Sequence, residues 1–300
     1  MSDASAEPLQ PLQTAQPGQP APPVHTVAQA LAWAQHSGLP RLEAQMLLLQ
    51  ALQRSTHDRT WLLTHADTAL GSTAQHSFVQ FTQRRLAHEP MAYITGQKEF
   101  FGLSLHIDAR VLDPRDDTET LVEWALSCLA DVASPCVVDL GTGSGAIALA
   151  LKHARPDASV HATDASAAAL AVAQHNAQQL NLALMLHQGD WLSAVPDGTF
   201  HAIVSNPPYI ELHDAHLRTL QHEPLSALVA GPDGLSDIRH IVQQAPAHLT
   251  PGGWLLLEHG HDQAHAVQTL LANQGFEAVQ SRPDLSGILR CTGGRWLTMK

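Results

Sequence analysis

Cysteine is scarce in this chain. Its 300 residues hold three, Cys128, Cys136 and Cys291. They are too few and too scattered for a disulfide framework or a cysteine-based zinc site. Basic residues are also few, 16 Lys and Arg against 28 Asp and Glu, and the formal charge is −12 with histidines neutral. That balance speaks against tight nonspecific binding to nucleic acid, because phosphates need clustered cations, although it does not exclude a local basic patch. No apolar run reaches membrane-spanning length and no basic-then-apolar leader opens the chain, so the expectation is a soluble cytoplasmic protein with no membrane partner. Histidine is plentiful at 20 residues, enough to offset part of the negative charge at mildly acid pH.

Residues 1–24 are rich in Pro, Gln and Ala and nearly empty of large apolar side chains. They cannot bury enough surface to offset the entropy of ordering, which predicts a disordered tail. A helical pattern begins at Thr26, a capping residue for Val27, Leu31 and Ala34 on one face, and Gly38 closes it. Pro40 suits the start of a second helix with Leu42, Met46 and Leu49 at i, i+4, i+7. Two further stretches, 58–65 and 73–88, complete a small helical bundle over 25–90, the last burying Phe78 and Phe81. Residues 91–112 alternate and carry Gly96 and Gly102, which predicts a β-hairpin linker.

From 113 to 300 strand and helix signals alternate. "CVVDL" (136–140), "SVHATD" (159–164), "LMLHQGD" (184–190), "HAIVSN" (201–206) and "GWLLLEHG" (253–260) are short apolar runs, most of them separated by helical segments. That order predicts an α/β fold, a mostly parallel Rossmann-like sheet with helices on both faces. Ligands in such sheets bind at the carboxyl ends of strands near a topological switch point, and Asp139, Asp164, Asp190 and Asn206 all fall at strand ends.

In "VVDLGTGSGAIALA" (137–150), Gly141, Gly143 and Gly145 allow a tight turn and close backbone approach to a ligand. The same letters satisfy the looser dinucleotide pattern, so the loop alone does not choose a cofactor. Two features favour S-adenosylmethionine. Asp139 directly precedes the turn, where a pyrophosphate would be repelled and an ammonium or sulfonium welcomed. The second feature is "VSNPPYI" (204–210). Proline fixes φ near −65° and forces the preceding residue into an extended form, so Asn206, Pro207, Pro208 and Tyr209 make a stiff corner. Such a corner can hold a planar amide or amino group, with the Asn206 oxygen and the Pro207 carbonyl accepting its N–H bonds and Tyr209 stacking on its face. Hydride transfer does not call for it. His259, His261 and His265 lie close together, but no second cluster completes a ligand set, so no metal is expected.

Together with "ATDAS", "GDW", "EPMAYITGQKEFFGL", "HEPLSALVAGPDGL" and "LLLEHG", these segments resemble the release-factor glutamine methyltransferases (PrmC/HemK), from about residue 26 to the end. Asn-Pro-Pro-Tyr alone is shared with DNA adenine and some ribosomal guanine amino-methyltransferases. The resemblance implies methylation of the glutamine side-chain amide nitrogen (N5) in the Gly-Gly-Gln motif of class I peptide-chain release factors, an act in translation termination. It implies that Gly141, Thr142, Gly143, Ser144 and Gly145 line the methionine part of S-adenosylmethionine and that Asp164 binds its ribose. Asp190 with Trp191 would hold the adenine, and Asn206, Pro207, Pro208 and Tyr209 the substrate amide. Asn206, Pro207 and Tyr209 are the catalytic candidates, while Asn206 and Asp139 also face the cofactor. The expected partner is a release factor, with no direct nucleic acid, and the protein a monomer. One segment departs from the family: "DPRDDTE" (113–119) has Asp113 and Asp116 where Ile and Pro are usual, which adds two carboxylates and loosens the loop. The alternatives are a nucleic-acid amino-methyltransferase and a noncatalytic S-adenosylmethionine-binding scaffold.

Overall fold

In the computed structural model, which describes residues 24–196 and 198–297, the chain divides into two units between Ala87 and His88. The expected tail lies outside the described residues except for Val24, which is buried.

Among the described residues, the first unit holds four helices: α1 Val27–His36, α2 Arg41–Ala51, α3 Arg59–Thr64 and α4 Ser72–Leu86. Thr26 and Gln29 close a capping box at the start of α1, each side chain accepting from the other's backbone N–H at 3.3 Å. The buried face of α2 is Ala44, Leu47, Leu48, Leu49 and Ala51. Leu42, expected inside, is 49% exposed. Three consecutive leucines put apolar groups on several sides of this helix, and packing against α4 selects among them. α4 buries Phe78 and Thr82, while Phe81 is only half-buried.

The second unit opens with a short helix, α5 Met91–Thr95, in place of the first part of the expected hairpin. Pro90 starts this turn and Gly96, at φ 73°, ends it. The hairpin itself is β1 Gln97–Phe100 and β2 Leu103–His106, joined by Phe101 and Gly102 at φ 50° and 75°, the backbone that a two-residue hairpin turn requires.

Seven strands then form one sheet: β3 Cys136–Leu140, β4 Ser159–Asp164, β5 Met185–Gln188, β6 Phe200–Ser205, β7 Leu249–Glu258, β8 Glu277–Pro283 and β9 Leu289–Arg295. Their spatial order is β5-β4-β3-β6-β7-β9-β8. The first five are parallel; β9 runs antiparallel to β7, and β8 to β9. The five parallel strands are those expected, and the closing antiparallel pair is an addition. Helices α6 Glu119–Cys128, α7 Ala146–Ala154 and α8 Ala167–Leu180 pack on one face, α9 Ser236–Gln244 and α10 Ala264–Gln274 on the other. Alternation along each strand supplies both cores. Val137, Ala202, Val204 and Leu256 join the first, and Val138, Ile203, Leu255 and Leu257 the second. Because β4 and β6 flank β3 on opposite sides, the switch point lies at the carboxyl end of β3.

Candidate active site

A cavity of about 360 Å³ opens at that point. Gly141, Gly143, Asp164, Asp190, Trp191, Asn206 and Pro208 line it, joined by Arg110, Thr163 and Pro224. Of the expected site, the cavity therefore gathers six cofactor candidates and two residues of the corner.

The glycine loop is shaped from both sides. Gly141 has φ 70°, and a Cβ there would meet the Trp191 ring at 3.1 Å. Gly145, at φ 84°, lies where a Cβ would press on Ala173 and Leu149 at 3.2 Å, so it packs helix on helix and does not line the cavity. Thr142 and Ser144 also face inward: both are buried, and the Ser144 carbonyl accepts from Asn176 at 2.9 Å. Asp164, at the end of β4, accepts from the Gly143 N–H at 2.9 Å and the Ser166 N–H at 2.8 Å, which ties the loop to the next strand. Burial raises its pKa. Trp191 follows Asp190 with φ 45°, an unusual conformation for a bulky residue, and holds its ring against the loop.

Asp139 departs from the expectation. It is fully buried beneath the loop and is not part of the cavity wall. One carboxylate oxygen accepts from the Thr142 hydroxyl at 2.6 Å and the Ala148 N–H at 3.3 Å, and the other has no partner. Helix α7 covers it, and burial pushes its pKa up to about 7. Since the folded state holds this proton more tightly than the unfolded chain, the stability it contributes is complete below about pH 4 and is lost as pH rises through about 7. The Asp139→Asn variant, which keeps an acceptor and cannot ionise, should lose less stability than wild type between pH 5 and 8 in urea unfolding without ligand. Parallel curves for the two proteins would show that Asp139 does not titrate in this way.

At the corner, the Asn206 Nδ2 donates to the Thr118 hydroxyl at 3.3 Å. Pro207 is buried, and Pro208 reaches the cavity. Tyr209 is half-buried outside the cavity lining, its hydroxyl 3.5 Å from the Glu258 carboxylate and its carbonyl accepting from Gln263 at 3.1 Å. The 113–119 segment is held more firmly than expected. Arg115 meets Glu223 at 2.5 Å and Asp113 at 3.5 Å, and Asp116 pairs with Lys98 at 2.7 Å. Each added carboxylate thus faces a cation. Burial still raises the Asp113 pKa.

Sequence reasoning reads 218–224, which contains Glu223, as a substrate-facing segment, but it does not single out Thr163, Glu223 or Glu258. Thr163 lines the cavity with a buried hydroxyl that has no partner. Glu223 is the buried partner of Arg115, and Glu258 is 1% exposed at the end of β7. A signal for the last was available: a carboxylate ends the apolar run "GWLLLE", as Asp164 ends its own strand.

Residues 25–96 match the family model of the PrmC N-terminal domain, and residues 117–226 that of the methyltransferase small domain. The release factor glutamine methyltransferase of Bordetella pertussis is 49% identical over 260 residues, 86% of this chain and 95% of its own length. That of Burkholderia pseudomallei is 48% identical over 277 residues, 89% of this chain and 96% of its own. A solved methyltransferase from Pyrococcus furiosus shares the fold, with a TM-score of 0.51 at 19% identity over 73% of this chain and 99% of its own. Identity near one half, sustained over both the helical unit and the sheet, shows that the chain belongs to the release factor glutamine methyltransferase family.

Proposed function

We propose that the protein methylates the side-chain amide nitrogen (N5) of the glutamine in the Gly-Gly-Gln motif of class I peptide-chain release factors, with S-adenosylmethionine as donor. The observation that carries this reading is Asn206, held through its Nδ2 by Thr118 on the wall of a cavity that also contains the glycine loop. The residues suit the donor. Gly141 and Gly143 leave backbone room, Asp164 would hold the ribose, and Asp190 and Trp191 would hold the adenine. Thr163, on the cavity wall, has an unpartnered hydroxyl that a polar ligand would serve. Bound S-adenosylmethionine supplies an electrophilic methyl group on a sulfonium.

An amide nitrogen is a poor nucleophile because its lone pair is delocalised. The chain's task is therefore to orient it, with Asn206 and the Pro207 carbonyl accepting the two N–H bonds and Tyr209 backing the corner. Holding two reactants in line can contribute about 7–11 kcal/mol to lowering a barrier. One neutral hydrogen bond contributes only about 1 kcal/mol as simple binding. Positioning dominates, and two consecutive prolines supply the rigidity it needs.

In this reading the enzyme acts as a cytoplasmic monomer without direct nucleic acid contact, in keeping with its acidic charge. Transfer of labelled methyl groups to release factor, compared with DNA and ribosomal RNA, tests it; preference for a nucleic acid would overturn it. Residues 25–90 are assigned to recognition of the protein substrate. A chain beginning at His88 should then bind S-adenosylmethionine normally but methylate intact release factor poorly. Full activity of that shortened, soluble chain would remove the assignment.

A further inference from the structure

Asn206 can serve as an acceptor only if its amide is turned the right way, and two residues outside the corner decide this. Its Nδ2 donates to Thr118 Oγ1 at 3.3 Å across 88 positions of sequence. A hydroxyl that accepts this bond has its own proton free for another acceptor. Thr118 is 3% exposed, and its hydroxyl also interacts with the Glu258 carboxylate, itself 1% exposed. An ionised carboxylate only accepts, so the Thr118 proton points to Glu258 and its lone pair to Asn206. The Asn206 oxygen is then left for the cavity, which Asn206 lines.

We propose that Glu258 and Thr118 are positioning residues for methyl transfer, a carboxylate–hydroxyl pair that sets the amide of Asn206 with its oxygen toward the substrate nitrogen. The proposal rests on the reading of the corner given above. Neither residue lines the cavity, so neither is assigned contact with substrate or cofactor. Glu258 Oε2 is buried without a hydrogen-bond partner, and besides Thr118 the carboxylate has the Tyr209 hydroxyl, 3.5 Å from Oε1 and at the far limit of such a bond. A carboxylate this poorly solvated has few groups to satisfy it, which strengthens its hold on the Thr118 proton.

The pair also gives the arrangement a direction in pH. The groups around Glu258 are Thr118 and Asp117 from the turn before α6, Tyr209 from the corner, and Arg290 and Cys291 from β9. His259, next in sequence, turns its ring away to the Gly260 carbonyl and the Thr292 hydroxyl. Arg290 is shared with Asp117 at 3.8 Å and Asp284 at 3.3 Å, and burial outweighs it, raising the Glu258 pKa to about 7. Protonated Glu258 can donate to Thr118. The Thr118 proton can then turn to Asn206 and favour the flipped amide, with its NH₂ toward the substrate.

The test is single-turnover transfer to release factor at saturating S-adenosylmethionine from pH 6 to 9, with cofactor affinity measured separately by calorimetry. Transfer by wild type to release factor is the prior check on the substrate reading, and its failure there would count against that reading alone. Given that activity, Thr118→Val, which keeps the shape and removes the hydroxyl, should slow transfer at least tenfold with cofactor affinity within twofold. Thr118→Ser should recover to within threefold of wild type. Wild type should slow as pH falls through about 7, and Glu258→Gln, whose amide can both donate and accept, should be slower at pH 8 and lose that limb. A Thr118→Val rate within twofold of wild type would overturn the proposal. So would a Thr118→Ser variant as slow as Thr118→Val, or a Glu258→Gln variant that keeps the wild-type pH profile.

Discussion

Replacing Asn206 by alanine should slow single-turnover methyl transfer by much more than the roughly fivefold that one neutral hydrogen bond of about 1 kcal/mol explains. The variant loses an acceptor for the substrate N–H and also the orientation that this contact imposes on the nitrogen, which is the larger effect. S-adenosylmethionine should bind only modestly more weakly, because the glycine loop and Asp164 remain. At the other end of the corner, Tyr209→Phe should be mild. The hydroxyl lies 3.5 Å from Glu258 and contributes little at that distance. Tyr209→Ala should be severe, since the ring that backs the corner is lost, yet cofactor affinity should stay near wild type. The measurement is transfer at saturating S-adenosylmethionine and release factor. A near-wild-type rate for Asn206→Ala would make the corner a structural turn and nothing more.

The second large effect is expected at Asp164. Its carboxylate is assigned to the ribose hydroxyls, and hydrogen bonds to a charged group contribute about 1.5–3 kcal/mol, so Asp164→Ala should weaken S-adenosylmethionine roughly tenfold to a hundredfold or more. The structure places a further consequence beside this one. The Gly143 and Ser166 N–H groups both donate to Asp164 and would lose their acceptor, so the loop itself should become less ordered. Asp164→Asn retains one acceptor oxygen and should fall between wild type and alanine. Calorimetry on the folded variants decides the matter. Unchanged affinity in Asp164→Ala would take the residue out of the cofactor site.

Much of this site was legible before any coordinates. The ends of β3, β4 and β6, the glycine turn and the Pro-Pro corner are local features, each set by residues within a few positions of one another. The cap at Thr26 is of the same kind, while the Gln29 side chain that completes its capping box is known only from the structure. The β8–β9 pair was not legible. β8 reads "EAVQSRP", mostly exposed and polar, with Ala278 at φ 50°, so no apolar alternation marks it. Its place comes from pairing with β9, which in turn pairs with β7.

The sequence by itself determined the helical bundle, the five parallel strands and the strand-end places of the acids and the corner, because turn chemistry and hydrophobic period act over short range. Only the tertiary structure decided which polar groups face the cavity and which face the core. Asp139 and Asp164 look alike as strand-end acids, yet α7 closes over the first while the second stays beside the cavity. Asn206 and Thr118 stand 88 residues apart, and Arg115 and Glu223 stand 108 apart. A hydrogen bond is directional and short, so contacts of that separation exist only after the sheet has brought its strand ends together.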